Sequence, residues 1–499
     1  METGGMVPGE LRDPARPGAR TSFLRLFSAV AVALGLSACL PADQRPDLGV
    51  AVTPGFAAGD KRTAASVSPD WPRLFRSAEL NRLVQRTSGQ NFDIAIALTR
   101  IRQADAQSRI SSASLYPTLS GSGDASRSLR PGTLSSKRGP FGDSVGNSFS
   151  LGLSASYELD FWGKNRAAAD AGRLAAEATR FDKEVVALTA VSNVVTSYFQ
   201  VLASQDRLRI ANDNIAAAER VLKVIRARLD VGTATQLDVA QQESVLAQQR
   251  ASIPPLQLAL RQAKVTLAVL VGEAPAAVSI KGGSLNAVAV PAVRPGLPSQ
   301  LLQRRPDIAE AETRLTAQEA TLYAARAALF PSITLTGQGG LESAVLKNLL
   351  RPDAAFAQAA SGLVQPILDG GRLRAQVELE RGTADELIAT YRKTIVSAFA
   401  DVENALIAIQ ENSRHERLQA EVVASARRAY AITEQRLREG TIDIVTLLNT
   451  QQTLFQAQDQ LSQVRLQKLT AYVELFKALG GGWNEASRQA AILDTEAAR

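Results

Sequence analysis

A mainly α-helical, internally duplicated chain that carries membrane-type β-strands is the fold class the sequence predicts. Three observations lead there. Several segments recur in the same order in the two halves. The stretches 163–231 and 371–439 contain no proline and space their apolar residues in heptads. Short runs beside them alternate apolar with small polar side chains. Such patterns belong to coiled-coil helices and to half-apolar strands.

The N-terminus comes first in chain order. Arg20 and Arg25 precede LFSAVAVALGLSA (26–38), a short apolar stretch ending in small side chains. That arrangement reads as a secretory signal, too short for a spanning helix. Cys39 is the only cysteine of the 499 residues, so it has no internal disulfide partner. Leu36-Ser37-Ala38-Cys39 resembles a bacterial lipobox, which implies acylation of the Cys39 thiol, cleavage before it and acylation of the new amine. Leu40 follows where an inner-membrane retention signal would carry Asp, so the outer membrane is the expected address. The chain then divides into a lipoprotein-type signal peptide (1–38), an N-terminal lipidated segment (39–90), a first repeat (91–275), a linker (276–305), a second repeat (306–482) and a C-terminal tail (483–499).

Composition excludes several function classes. Aromatics make up 5% of the chain, and the net charge of +7 comes from Arg dispersed along it. No basic run interleaves with aromatics, so nucleic-acid binding is not expected. His415, the only histidine, sits in polar NSRHERL and reads as a surface residue. One His and one acylated Cys exclude most metal sites and most nucleophile–base pairs, so neither cofactor nor catalysis is expected. Glu378, Glu380, Asp385 and Glu386 read as helix-surface charges. No run after Cys39 has eighteen uninterrupted apolar residues, so a membrane crossing would need strands in a closed barrel.

The duplication orders the rest. Phe92-Asp93-Ile94 opens a helical pattern that ends at Leu115-Tyr116-Pro117, and Pro306-Asp307-Ile308 opens one that ends at Leu329-Phe330-Pro331. Leu159-Asp160-Phe161-Trp162-Gly163 parallels Leu368-Asp369-Gly370-Gly371. Arg228-Leu229-Asp230-Val231-Gly232-Thr233 parallels Arg436-Leu437-Arg438-Glu439-Gly440-Thr441. The offsets are 214 (93 to 307), 209 (159 to 368) and 208 (228 to 436). Each copy predicts a medium helix (93–114, 307–328), a strand pair, a very long helix, a turn and a returning helix (235–271, 443–479). Pro306 and Asp307 suit a helix start, and Pro117 and Pro331 halt the helices.

In SFSLGLSASYE (148–158), Phe149, Leu151, Leu153, Ala155 and Tyr157 alternate with Ser or Gly. A barrel strand with lipid on one side fits this period, and so does a half-buried strand of a soluble sandwich. Ile333 and Leu335 repeat the pattern, with a weaker strand near 358–368. The stretch 124–147 reads as a polar loop. Phe161 and Trp162 fit an interfacial aromatic belt or ordinary packing.

The heptads are regular. Ala384, Ile388, Tyr391, Ile395, Ala398, Val402, Ala405 and Ile409 follow 4-3 spacing, as do Ile215, Ala218, Leu222, Ile225 and Leu229. At 1.5 Å per residue each long helix reaches about 100 Å. The returning helix and the medium helix are each shorter, so they are expected to stack end to end beside the long one. All strands then lie at one end and both Gly-Thr turns at the other. Gly232 and Gly440 read as left-handed helix ends, with Thr233 and Thr441 capping the next helix.

These segments carry a resemblance. GLSAC, YELDFWGK, LLQRRPDIAEAE, ALFPSITLTG and GTIDIVTLLNTQQTLFQAQ resemble recurring segments of outer-membrane efflux proteins of the TolC/OprM type, in the NodT-like lipoprotein branch, over about residues 70–482. The resemblance implies a homotrimer whose four strands per chain form a 12-stranded barrel, continuous with an α-helical tunnel across the periplasm. It implies a passive exit duct of a tripartite efflux system, with a periplasmic adaptor (membrane fusion) protein and a proton-driven inner-membrane pump as partners. Four strands cannot close a barrel alone, which agrees. A type I protein-secretion duct is the alternative, and a periplasmic adaptor lipoprotein a more distant one. The tips Val231-Gly232-Thr233 and Glu439-Gly440-Thr441 would meet the adaptor. The periplasmic gate would lie six and nine residues after Gly440, where many relatives carry Asp and this chain carries Thr446 and Asn449. Asp238 holds the six-residue position of the first copy. Asp443 would restore some field if it turned inward, and Leu447 and Leu448 are expected to pack at the closure.

Overall fold

The computed structural model describes residues 55–56, 68–130, 144–292 and 298–483. Cys39 and the signal peptide lie outside the described residues, as does the tail beyond Trp483.

After a 3-10 turn (Trp71–Phe75), the described elements are α1 (Ala78–Gln90), α2 (Phe92–Ser112), β1 (Thr118–Arg130), β2 (Ser144–Leu159), α3 (Lys164–Asp230), α4 (Gln236–Ala251), α5 (Ile253–Val271), α6 (Pro298–Arg304), α7 (Pro306–Ala327), β3 (Ser332–Ser343), β4 (Ala355–Val364), α8 (Arg372–Arg438) and α9 (Ile444–Ala478). Both long helices, α3 and α8, have 67 residues. Their starts and ends are each 208 residues apart (164 to 372, 230 to 438).

The Leu-Asp motif repeated before each long helix, LDFWG and LDGG, explains where the long helices begin. Asp160 accepts the backbone N–H groups of Asn165 and Arg166 at 2.9 and 2.8 Å. Asp369 accepts those of Gly371 and Leu373, both at 3.0 Å. Carboxylates satisfy the orphan donors and the positive end of a helix. The Leu373 N–H, and after it the Gly371 N–H, hold the Asp369 carboxyl below the usual carboxylate range.

End-to-end stacking is realised, and the joint is itself duplicated. Gly272 ends α5 at φ +85° and lies against the backbone carbonyl of Gln90, where α1 passes into α2. The Asn91 amide donates to the Leu270 carbonyl at 2.7 Å. In the second copy Gly480, at φ +83°, lies against the Arg304 carbonyl. Arg305 donates there to the Ala478 carbonyl at 3.2 Å, and it also pairs with Asp307 at 2.7 Å and Asp401 at 3.0 Å. The Arg-Arg-Pro-Asp run is therefore a clamp on three helices.

Three features differ from the sequence expectation. The returning helix of the first copy breaks at Ser252, because Pro254 and Pro255 restart it as α5. The segment around Trp71 belongs to the core: Trp71 stacks on Phe476 at 4.9 Å and Phe75 meets Phe199 edge-on at 5.0 Å. β1 and β2 extend to Arg130 and from Ser144, through residues read as loop, and β4 sits three residues earlier than expected. Among the described helices α3 alone is long and apolar enough to cross a membrane, by length and composition. Its apolar middle is occupied by protein instead, with Val194, Val195 and Phe199 fully buried.

Candidate functional site

The strands form one antiparallel sheet in the order β1-β2-β3-β4. Registers place Leu119 opposite Ala155, Leu151 opposite Leu341, and Ile333 opposite Leu363. Because side chains alternate, these residues share one face with Phe149, Leu153, Tyr157 and Leu335. Ser120, Ser150, Ser154, Thr334 and Gln338 share the other. Among the described residues no layer packs on the apolar face: Leu119, Leu153 and Leu363 are 71, 59 and 67% exposed. A soluble sandwich would cover that face with a second sheet. β1 and β4 remain as unpaired edges among the described residues.

At the sheet–helix junction Trp162 stacks on Phe330 at 4.9 Å and donates to the Pro331 carbonyl at 2.7 Å. It thus joins the first copy to the second, and the packing reading holds for it. Phe161 is left exposed beside it.

At the far end the two turns share one geometry. Gly232 and Gly440 adopt φ +72° and +73°. Thr233 donates its N–H to the Arg228 carbonyl at 2.8 Å and Thr441 to that of Arg436 at 2.9 Å, a Schellman closure. The expected cap residues are corrected here. The Thr233 and Thr441 hydroxyls donate backwards, to the same Arg228 and Arg436 carbonyls, both at 3.1 Å. The next helices are capped instead by Thr235 and Asp443, which accept the N–H groups of Asp238 at 3.2 Å and Thr446 at 2.8 Å. Arg228 donates to the Leu437 carbonyl and so ties the two turns together. Val231, Gly232, Thr233, Glu439, Gly440 and Thr441 are all exposed.

Thr446 and Asn449, three residues apart on α9, are exposed on one face. Both carboxylates near them are engaged in capping. Asp238 accepts the Thr235 N–H at 2.7 Å within a capping box. The Thr446 N–H holds the Asp443 carboxyl below its usual range. That cap is intact at neutral pH and is lost as pH falls through the depressed value. Leu447, expected at the closure, is fully buried within its own chain beside Ile225, Val239 and Tyr430, and Leu448 only borders that cluster. Burial pushes the Tyr430 hydroxyl up to about 12, so it stays neutral there. Among the described residues no group of three His, Cys, Asp or Glu could hold a metal. The cap residues and the Trp162 joint were missed from sequence. The signal for the caps was available as Thr or Asp one residue before each returning helix.

A family model described as outer membrane efflux protein matches residues 83–273 and 297–481. The chain is 39% identical over 471 residues to the pyoverdine export outer membrane protein OpmQ of Pseudomonas aeruginosa, covering 93% of this chain and 98% of that one. It is 32% identical over 477 residues to the toluene efflux pump outer membrane protein TtgC of Pseudomonas putida, covering 94% and 98%. Among solved structures, the Campylobacter jejuni CmeC outer membrane channel superposes with a TM-score of 0.83 at 25% identity, covering 91% of this chain and 97% of that one. The outer-membrane channel OprN gives 0.81 at 25% identity, covering 89% and 99%.

Proposed function

Because the chain belongs to the outer membrane efflux protein family, we propose that it is the outer-membrane exit duct of a tripartite efflux system, conducting small molecules passively. The observation that carries this reading is the sheet: one bare apolar face, one polar face and two open edges. In lipid such edges must pair, and the three copies that the family resemblance implies would close a 12-stranded barrel, β4 of one against β1 of the next. The helices, about 100 Å long, then continue the conduit through the periplasm. The named relatives export pyoverdine or toluene, which supports small-molecule cargo over protein secretion. A homotrimer, a periplasmic adaptor and a proton-driven inner-membrane pump complete the assembly. The test is deletion of the chain in its host, followed by retention of a fluorescent efflux substrate. Retention that rises on deletion and reverses on complementation is expected; unchanged retention would refute the duct.

Residues 1–38 are assigned as signal peptide and Cys39 as the acylated N-terminus. Cys39→Ala protein is expected to take up no radiolabelled palmitate, and labelling of the variant equal to wild type sinks the assignment. Supplied with another outer-membrane signal, the variant should keep transporting, because the barrel is the main anchor.

The turns are assigned as adaptor-docking tips. A Cβ at Gly232 would meet nothing within 4 Å, and one at Gly440 only the Arg228 guanidinium at 3.6 Å. Valine at either position therefore costs mainly left-handed strain, about 1–2 kcal/mol, without disturbing the body. Trimers are expected to form while efflux falls. Crosslinking to the adaptor from Asp230 or Arg438 separates lost docking from strain: absence of crosslinks in the wild type counts against these tips.

A further inference from the structure

From Thr446 to Gln467 the exposed side of α9 carries no charge; Glu474, exposed seven residues further on, ends the neutral stretch. Thr446, Asn449, Thr453, Gln456, Gln460 and Gln467 are all exposed. Their spacing of 3, 4, 3, 4 and 7 residues keeps them on one straight seam of a coiled-coil helix, about 32 Å long. From Ile444 to Ala471 the only charged residues are Asp459, Arg465 and Lys468. Each is neutralised sideways. Asp459 pairs with Arg207 of α3 at 2.6 Å, and Arg465 and Lys468 pair with Glu416 of α8 at 3.0 and 2.9 Å. α3 and α8 are the main neighbours of α9, so the seam is the side that neither covers. The exposed surface of α8, by contrast, carries Arg414, Arg427 and Arg436. Above Gln467 the seam meets a groove of about 610 Å³ between α8 and α9, where Asn404, Asn412 and Thr470 stand beside the charged Arg305, Asp401, Glu474 and Lys477, so the neutral track stops there.

We propose that the α9 seam from Thr446 to Gln467 faces the conduit and forms a charge-free hydrogen-bonding track, with amide- and hydroxyl-rich neutral or zwitterionic solutes of peptide-like chemistry as its cargo. The proposal rests on the duct reading above. Its physical basis is a contrast in strength. A fixed charge on a narrow, low-dielectric wall captures counter-ions and repels co-ions over the whole cross-section. A neutral amide exchanges one hydrogen bond for another and nets only about 0.5–1.5 kcal/mol. Repeated sites of that strength let a solute enter, step along and leave. The side-chain carboxamides of Asn449, Gln456, Gln460 and Gln467 offer donor and acceptor together, which matches a peptide group and discriminates little between signs of charge.

The experiment uses the full-length trimer in planar bilayers. Gln456→Cys and Gln460→Cys are each treated with an anionic methanethiosulfonate, with the wild type as control for Cys39. Modification is expected to raise the cation-over-anion permeability ratio at least about fivefold, with no change in the treated wild type. The neutral peptide acetyl-Ser-Asn-Gly-amide is then added to unmodified channels. It should produce concentration-dependent current fluctuations in the wild type, weakened about fivefold or more in Gln456→Leu/Gln460→Leu, as loss of about 1 kcal/mol of hydrogen bonding implies. A trimer that conducts nothing refutes the duct and the track together. Conducting channels with silent cysteine modification refute the placement of the seam alone. Modification that works beside an inert peptide, or an unaffected Leu variant, refutes the cargo class.

Discussion

Gly272→Ala and Gly480→Ala are each expected to remove most of the folded trimer from the outer membrane. Both glycines sit at left-handed φ, +85° and +83°, where an alanine is strained by about 1–2 kcal/mol. The larger cost is steric. A Cβ at Gly272 would overlap the Gln90 carbonyl, and one at Gly480 the Arg304 carbonyl. Neither obstacle is the end of a flexible side chain. Each is the last backbone carbonyl of a helix, α1 or α6, directly before the joint held by Asn91 or Arg305. The loss per chain is expected at roughly 3–5 kcal/mol, the range of severe single substitutions. Thermal melting of the detergent-solubilised trimer checks it, with Gly382→Ala as control. Gly382 lies in the open flank of α8 with nothing near its missing Cβ, so alanine should be neutral or stabilise by up to about 1 kcal/mol. Melting of Gly272→Ala or Gly480→Ala alongside the control would refute the tight joint.

Asn449→Asp is expected to create a cation trap that the wild type lacks. Three chains converging at the gate that the family resemblance implies would bring three such carboxylates within a few ångströms of one another, and narrow walls focus their field. In the wild type the positions hold Thr446 and Asn449, which supply dipoles only. The two nearest carboxylates are held in place as helix caps, Asp443 on the Thr446 N–H and Asp238 on the Thr235 N–H. Single-channel current with added di- and trivalent cations is the measurement. Block is expected to be weak in the wild type and to strengthen about tenfold or more in the variant. Tight block of the wild type, unchanged by the substitution, defeats the neutral gate.

The long-range plan was legible because it is written in punctuation and period. Gly163 and Gly371 precede the long helices, Pro117 and Pro331 follow the medium ones, and the end residues came within one or two positions. The strand faces were legible wherever alternation is strong, as in β2. β1 was not, since TLSGSGDASRSLR has almost no strand-forming side chains. Its pairing with β2 imposes the conformation, as tertiary context does over weak propensity. Trp71 and Phe75 escaped for another reason: five residues of WPRLF carry no period, and their partners Phe199 and Phe476 are far away in sequence. At the turns the Gly positions were evident, but the caps were assigned two residues early. The Schellman closure uses the Thr next to each glycine, which leaves the following Thr235 or Asp443 to start the helix. The Asp160 and Asp369 caps were visible as a motif, though not as its cause.

The equal lengths of α3 and α8 have an evolutionary consequence. Deleting one residue from one long helix would draw its turn back by about 1.5 Å and rotate its seam by about 100°. The tie from Arg228 to the Leu437 carbonyl could not survive that. A deletion of seven nearly restores the seam, yet leaves one turn about 10 Å short of the other. The conduit can therefore be lengthened or shortened only in heptad steps taken together in α3, α8 and the helices that return beside them. Gradual drift in length is closed to this architecture, and lineages with envelopes of different depth should differ in span by multiples of seven residues, matched between the two copies.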